Sequence, residues 1–145
     1  MDFNHQIITK SAKETAEVGA TLASRLKPGI ICLYGELGSG KTTFTQGFAK
    51  GLGITTRLLS PTFIIVRRYP ILEKENYLYH VDLYRLQTVS EMEGVGLPEI
   101  FADPNAYKVV EWSERLGTLL PKKRIDIFFE VDYQERHNIL IKVVT

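Results

Sequence analysis

One cysteine in 145 residues cannot form an internal disulfide and excludes a zinc site built on several thiolates. No run approaches the roughly 20 apolar residues that a membrane span needs. The opening Met1-Asp-Phe-Asn-His5 lacks the basic-then-apolar plan of a signal peptide. Neither charge sign dominates: 18 Lys plus Arg against 17 Asp plus Glu leave +1, too even for the basic face of an autonomous nucleic-acid binder. His5, His80 and His137 are scattered, without the spacing of metal ligands. Together these absences point to a reduced, cytoplasmic setting. Length is short as well: 145 residues make one domain, too few for a two-domain kinase, a dehydrogenase with a separate substrate domain, or most barrels. What is present is ordinary for a folded chain, 44% apolar and 24% charged, enough to bury a core.

The spacing predicts a helix over residues 11–26, opened by a capping box of Ser11 and Glu14. Ala12, Ala16, Gly19, Ala23 and Leu26 recur on one face with Leu22, and Pro28-Gly29 stops the run. Residues 30–34 (Ile-Ile-Cys-Leu-Tyr) are continuously apolar, as in a strand buried on both faces of a parallel sheet. Cys32 inside it reads as a small buried hydrophobe. A second helix is expected over 41–52, with Phe44, Phe48 and Leu52 on one stripe and Gly53 as its stop. Strands are expected near 63–69, 77–82, 107–111, 124–131 and 138–144, the last two joined as a hairpin across Asp132–His137. The fold expected is a single α/β domain over residues 1–145, three layers with a mixed, partly parallel sheet.

The sharpest signal is Gly35-Glu36-Leu37-Gly38-Ser39-Gly40-Lys41-Thr42, followed by Thr43, which matches G-x-x-x-x-G-K-[ST] at every fixed position. A chance match in a chain this long has odds on the order of one in a few hundred. The match also has its required setting, a buried strand before it and a helix after. Glycines at 35, 38 and 40 let successive backbone N–H groups curl around a phosphate. The positive end of the following helix faces the same anion. Lys41 reaches the β- and γ-phosphates as a point charge. The Thr42 hydroxyl offers Mg²⁺ the oxygen ligand it prefers. A bound nucleoside triphosphate with Mg²⁺ is therefore expected.

Phosphate-loop enzymes also need carboxylates where neighbouring strands end. Asp82 closes Tyr77-Leu-Tyr-His-Val81, and Glu111 closes Tyr107-Lys-Val-Val110. Lys41, Asp82 and Glu111 are thus the catalytic candidates. Ser60-Pro61-Thr62-Phe63 has two readings, a switch whose hydroxyls sense the γ-phosphate and a plain turn into a strand. Trp112 also has two, base or partner contact and core packing. His80 shares a strand face with Asp82 and reads first as a packing histidine.

Four motifs in this order and at these intervals, Gly35–Thr43, Ser60–Phe63, His80-Val-Asp-Leu-Tyr-Arg85 and Glu111-Trp112, resemble the small bacterial P-loop ATPase family TsaE, also called YjeE or YdiB. The resemblance covers nearly the whole chain. It implies an ATPase in the making of threonylcarbamoyladenosine, the modification beside the anticodon of tRNAs that read codons beginning with A. It implies TsaD and TsaB as partners, with tRNA reached through them. Carried over, it makes Thr42 and Glu111 the Mg²⁺ ligands and Asp82 a catalytic or water-positioning carboxylate. It places Arg136 near the nucleotide, where the family's Gly-Arg pair reads Glu135-Arg136 here. It puts Ser11 to Thr15 at the adenine edge. Two rivals stand beside it, a small-molecule kinase and a nucleotide-dependent binding switch. The Asn-Lys-x-Asp motif that selects guanine in many GTPases is absent.

Overall fold

A computed structural model describes residues 3–56, 58, 65–71 and 74–145, excluding the side chain of Phe3. Seven strands form one mixed sheet: β1 (Phe3–Thr9), β2 (Ile30–Tyr34), β3 (Val66–Pro70), β4 (Tyr77–Asp82), β5 (Ala106–Glu111), β6 (Arg124–Val131) and β7 (His137–Val144). Their order is β1-β7-β6-β2-β5-β4-β3. The four central strands β6, β2, β5 and β4 run parallel, and the outer pairings are antiparallel. Helices cover both faces. On one lie α1 (Ala12–Arg25) and α2 (Lys41–Gly51); on the other are the short α3 (Val89–Gly94), α4 (Leu97–Ala102) and a 3₁₀ turn at Ser113–Arg115. The three-layer α/β arrangement expected from the sequence is the one observed.

Each face has its own core. Phe44 and Phe48 of α2 are fully buried against Phe129 of β6 and Tyr107 of β5, in edge-on ring contacts at 5.5 and 6.0 Å. Side chains of this size contribute about 1.5–3 kcal/mol each when fully buried. The opposite core gathers Cys32, Val81, Val110, Met92, Leu97 and Leu116. Burial raises the Cys32 thiol to about 12, so it stays a protonated packing group.

Helices α1 and α2 touch backbone to backbone. A Cβ added at Gly47 would lie 2.0 Å from the carbonyl oxygen of Ala16, and one at Gly19 would lie 2.3 Å from that of Phe44. Neither neighbour is a side chain that could turn aside. Gly47→Ala is therefore expected to cost about 3 kcal/mol, the upper range for overpacking a filled interior. A denaturant midpoint equal to wild type would show that the two helices can slide apart.

Several elements differ from their sequence expectations. Strand β1 is unpredicted: Asn4, His5, Gln6 and Ile8 are exposed on an edge strand, so no apolar period marks it. Six-residue α3 and α4 are too short for a helical period to register. Strand 63–69 is seen as Val66–Pro70, with residues 63 and 64 outside the described set. On α1 the buried positions are Thr15, Gly19 and Ala23, while Ala12 is exposed. Thr15 is buried because its hydroxyl bonds the Thr9 hydroxyl at 2.6 Å, which removes the penalty for hiding a polar group. The hairpin β6–β7 forms as expected, in register from Arg124↔Val144 to Val131↔His137.

Candidate functional site

The topology gathers the expected residues at one sheet edge. Strands β2, β5 and β4 lie side by side and run the same way, so the loop after Tyr34 emerges beside Glu111 and Asp82. Asp82 and Glu111 are direct register partners. The antiparallel β7 starts at this edge with His137, opposite Thr9, the last residue of β1. The result is a cavity of about 410 Å³ lined by residues of the loop, both carboxylates, Thr15, Trp112 and His137.

The loop has the form that phosphate binding asks for. Gly40, at φ 108°, precedes α2 and leaves its first turn without a side-chain cap. Backbone N–H groups there have no intrahelical acceptor and carry the helix's positive end. Lys41 is 6% exposed, its Nζ donating to the Gly35 carbonyl at 2.7 Å and lying 5.3 Å from the centre of the Trp112 ring. Among the described residues lining the cavity, Lys41 is the only lysine or arginine.

Glu111 is buried and its Oε2 accepts from His80 Nε2 at 2.7 Å. His80 is 2% exposed, and its Nδ1 has no partner. It is more than packing: it fixes the direction of the carboxylate. Asp82 is half-buried and accepts the Tyr84 backbone N–H at 2.9 Å. Burial raises its pKa; the Tyr84 bond opposes this, and the Glu111 charge raises it further. A folded-state pKa above the unfolded one contributes stability at low pH that is lost as pH rises through the folded value. Asp82→Asn keeps an oxygen for the Tyr84 N–H and removes the charge. In EDTA, it is expected to melt above wild type at pH 8. That gain should shrink on acidification and vanish below the ordinary aspartate range. A difference in melting temperature that ignores pH would contradict this account.

Trp112 sits at φ 60°, a left-handed conformation that a bulky residue adopts at a cost. Its ring lines the cavity and also packs on the Tyr84 ring at 5.1 Å and the Arg115 guanidinium at 5.2 Å. Both sequence readings of Trp112 therefore have a counterpart.

The cavity brings together Leu37, Gly38, Gly40, Lys41, Thr42, Thr43, Thr15, Asp82 and Glu111 of the sequence candidates. Gly35, Glu36 and Ser39 face another hollow on the far side of the loop, beside Phe128 and Val131. Ser11 is exposed and caps α1 by accepting the Glu14 N–H. Arg136 is not in the wall: its Nε bonds Asp132 Oδ2 at 2.9 Å across the hairpin turn. Ser60 and Thr62 lie outside the described residues. His137 was missed as a site residue, and no local pattern announces it. Its Nδ1 lies 2.7 Å from the Ser39 carbonyl, across 98 positions of chain.

A glycine-rich turn linking a central parallel strand to its helix, over a mixed α/β sheet, defines the P-loop fold, and this chain has that fold. The family model for threonylcarbamoyl adenosine biosynthesis protein TsaE matches residues 9–139. The tRNA threonylcarbamoyladenosine biosynthesis protein TsaE of Bacillus subtilis is 42% identical over 120 residues, covering 82% of this chain and 73% of that protein. The protein of the same name from Treponema pallidum is 34% identical over 125 residues, 86% of this chain and 90% of its own. The crystal structure of Bacillus subtilis YdiB superposes with a TM-score of 0.83 at 33% identity, over all of this chain and 88% of that one. The chain belongs to the TsaE family.

Proposed function

We propose that this chain binds ATP with Mg²⁺ in the 410 Å³ cavity and hydrolyses it in support of threonylcarbamoyladenosine modification of tRNA. The observation that carries the reading is the convergence of the uncapped start of α2, Lys41 and two strand-end carboxylates on that one cavity. The pathway is the one named in the TsaE relatives. The partners are TsaD and TsaB, through which tRNA is reached, in the cytoplasm.

The residues present suit a magnesium ion. Mg²⁺ takes oxygen ligands, often one or two carboxylates plus phosphates and water. The Thr42 hydroxyl and the Glu111 carboxylate line the same cavity, and His80 engages only Oε2 of Glu111. Thr42 and Glu111 would hold the ion, with Glu111 kept in direction by His80 as ligating carboxylates usually are. Bound Mg²⁺ supplies charge neutralisation on the phosphate oxygens.

The chain's own groups do the rest. First-turn amides of α2 and the Gly38 and Gly40 backbone cradle the phosphates. Lys41 moves from Gly35 to the β/γ-phosphates. Asp82 orients the water that attacks the γ-phosphorus as its bond to the bridging oxygen breaks, releasing ADP and phosphate.

Titration with a fluorescent ATP analogue, with and without Mg²⁺, tests this division. Glu111→Gln should abolish the gain in affinity that Mg²⁺ gives wild type. Asp82→Asn should bind within about threefold of wild type while turnover falls roughly 10²-fold or more, the range for a positioned acid–base group. Loss of binding in Asp82→Asn with metal dependence intact in Glu111→Gln would reverse the roles.

A further inference from the structure

We propose that His137 is a positioning residue for the phosphate loop, holding the Ser39–Gly40 peptide so that the Gly40 amide keeps the direction a bound phosphate needs. The phosphate part of this rests on the nucleotide-binding reading above; the clamp itself rests on geometry. His137 Nδ1 lies 2.7 Å from the Ser39 carbonyl oxygen. A carbonyl only accepts, so Nδ1 carries the proton and donates. In a planar trans peptide the C=O and the next N–H point in opposite directions. Fixing the Ser39 carbonyl on the imidazole therefore fixes the Gly40 N–H on the other side of the same plane.

This peptide is the one in the loop that most needs holding. Gly40 sits at φ 108°, and glycine reaches many other backbone conformations at little cost. The Ser39 side chain gives no help, since its buried hydroxyl has no hydrogen-bond partner. Its N–H bonds the Glu36 carbonyl within the loop at 3.1 Å, which leaves the carbonyl as its tie to the sheet.

The clamp is itself well anchored. His137 is the first residue of β7, in register with Val131 of β6 and Thr9 of β1, so strands hold its backbone on both sides. Its ring lies against Gly40: a Cβ there would be 3.1 Å from Nδ1 and 3.6 Å from Cε1. Thr15 Cγ2 would be 3.5 Å from the same point, and Thr15 is bonded to Thr9. Gly40 is thus seated between α1 and β7.

Side-chain geometry supplies the test. An asparagine amide nitrogen occupies the place of histidine Nδ1, whereas a glutamine amide nitrogen occupies that of Nε2. His137→Leu and His137→Gln should both weaken ADP binding about fivefold, the worth of one hydrogen bond, and His137→Asn should recover most of the loss. The second readout is the Gly40 amide resonance in ¹⁵N-labelled, nucleotide-free protein. It should stay near its wild-type position in the Asn variant and shift or split in the Leu and Gln variants. Should the Leu variant fail to fold, the Asn–Gln pair alone decides. Equal impairment of Asn and Gln, or wild-type ADP affinity with an unmoved Gly40 resonance in Leu and Gln, would overturn the proposal. Failure of wild type to bind ADP would instead overturn the nucleotide reading, while the resonance pattern still decides the clamp.

Discussion

Lys41→Ala is expected to lower ATP hydrolysis by about 10²–10³-fold, the range for removing one preorganised charge partner from a developing anion. The argument is electrostatic and local. Lys41 is buried, and among the described residues of the cavity wall it is the only lysine or arginine. The neighbouring fixed charges are those of Asp82 and Glu111, which repel a triphosphate. With Lys41 gone, the helix end and a bound Mg²⁺ would be left to balance both carboxylates and the nucleotide. The fold should survive, because the Nζ bond to Gly35 is made to the carbonyl of a half-buried loop residue, outside both apolar cores. Phosphate release and circular dichroism together make the check. Wild-type turnover from a folded Lys41→Ala protein would remove the basis for placing nucleotide here. Lys41→Arg separates charge from shape: a guanidinium is larger and planar, so it should restore little activity in a site where Trp112 stands 5.3 Å from the amine.

How much of this site the sequence discloses follows from how far apart its parts lie in the chain. Gly35–Thr43 is contiguous, and its chemistry depends on local backbone shape, so nine residues with a buried strand before them suffice. Asp82 and Glu111 are legible because each ends an apolar run, and parallel strands deliver their last residues to one edge. The His80–Glu111 bond is not legible, since it depends on the register of β4 against β5, which no single segment encodes. His137 is further out of reach: it meets Ser39 because β7 returns antiparallel to β6, which is parallel to β2. Arg136 shows the opposite case. Its neighbour in sequence reaches the loop, but Asp132 accepts its backbone N–H and its side chain, which commits the guanidinium to the turn. The burial of Thr15 on α1 is illegible for a related reason. A threonine counts as polar until Thr9 is known to lie 2.6 Å away.

Phosphate release by the isolated protein is expected to be slow, and a saturating TsaB–TsaD pair should raise it by about 10³–10⁵-fold, the gain that a charge supplied in trans gives P-loop hydrolysis. Two features of the cavity support this. Its rim is open: Thr42 is exposed and Leu37, at the crest of the loop, is 89% exposed. A γ-phosphate held there stays in contact with water, which weakens every electrostatic interaction that would favour the transition state. The nearby arginines are also engaged. Arg115 donates to the Leu86 carbonyl at 3.2 Å and stacks on Trp112, and Arg136 is paired with Asp132. Neither supplies a finger without giving up those contacts. A partner that covers Leu37 and Trp112 would dry the phosphates and bring or release a cation in one step. Its effect should appear in kcat with little change in nucleotide affinity, because the added interactions form with the transition state. Steady-state release by the chain alone, then with each partner and with both, measures it. Rapid turnover in isolation that the pair leaves unchanged would mean that the site closes by itself. A hydroxyl acceptor that accelerates ADP release would then make small-molecule phosphoryl transfer the better account.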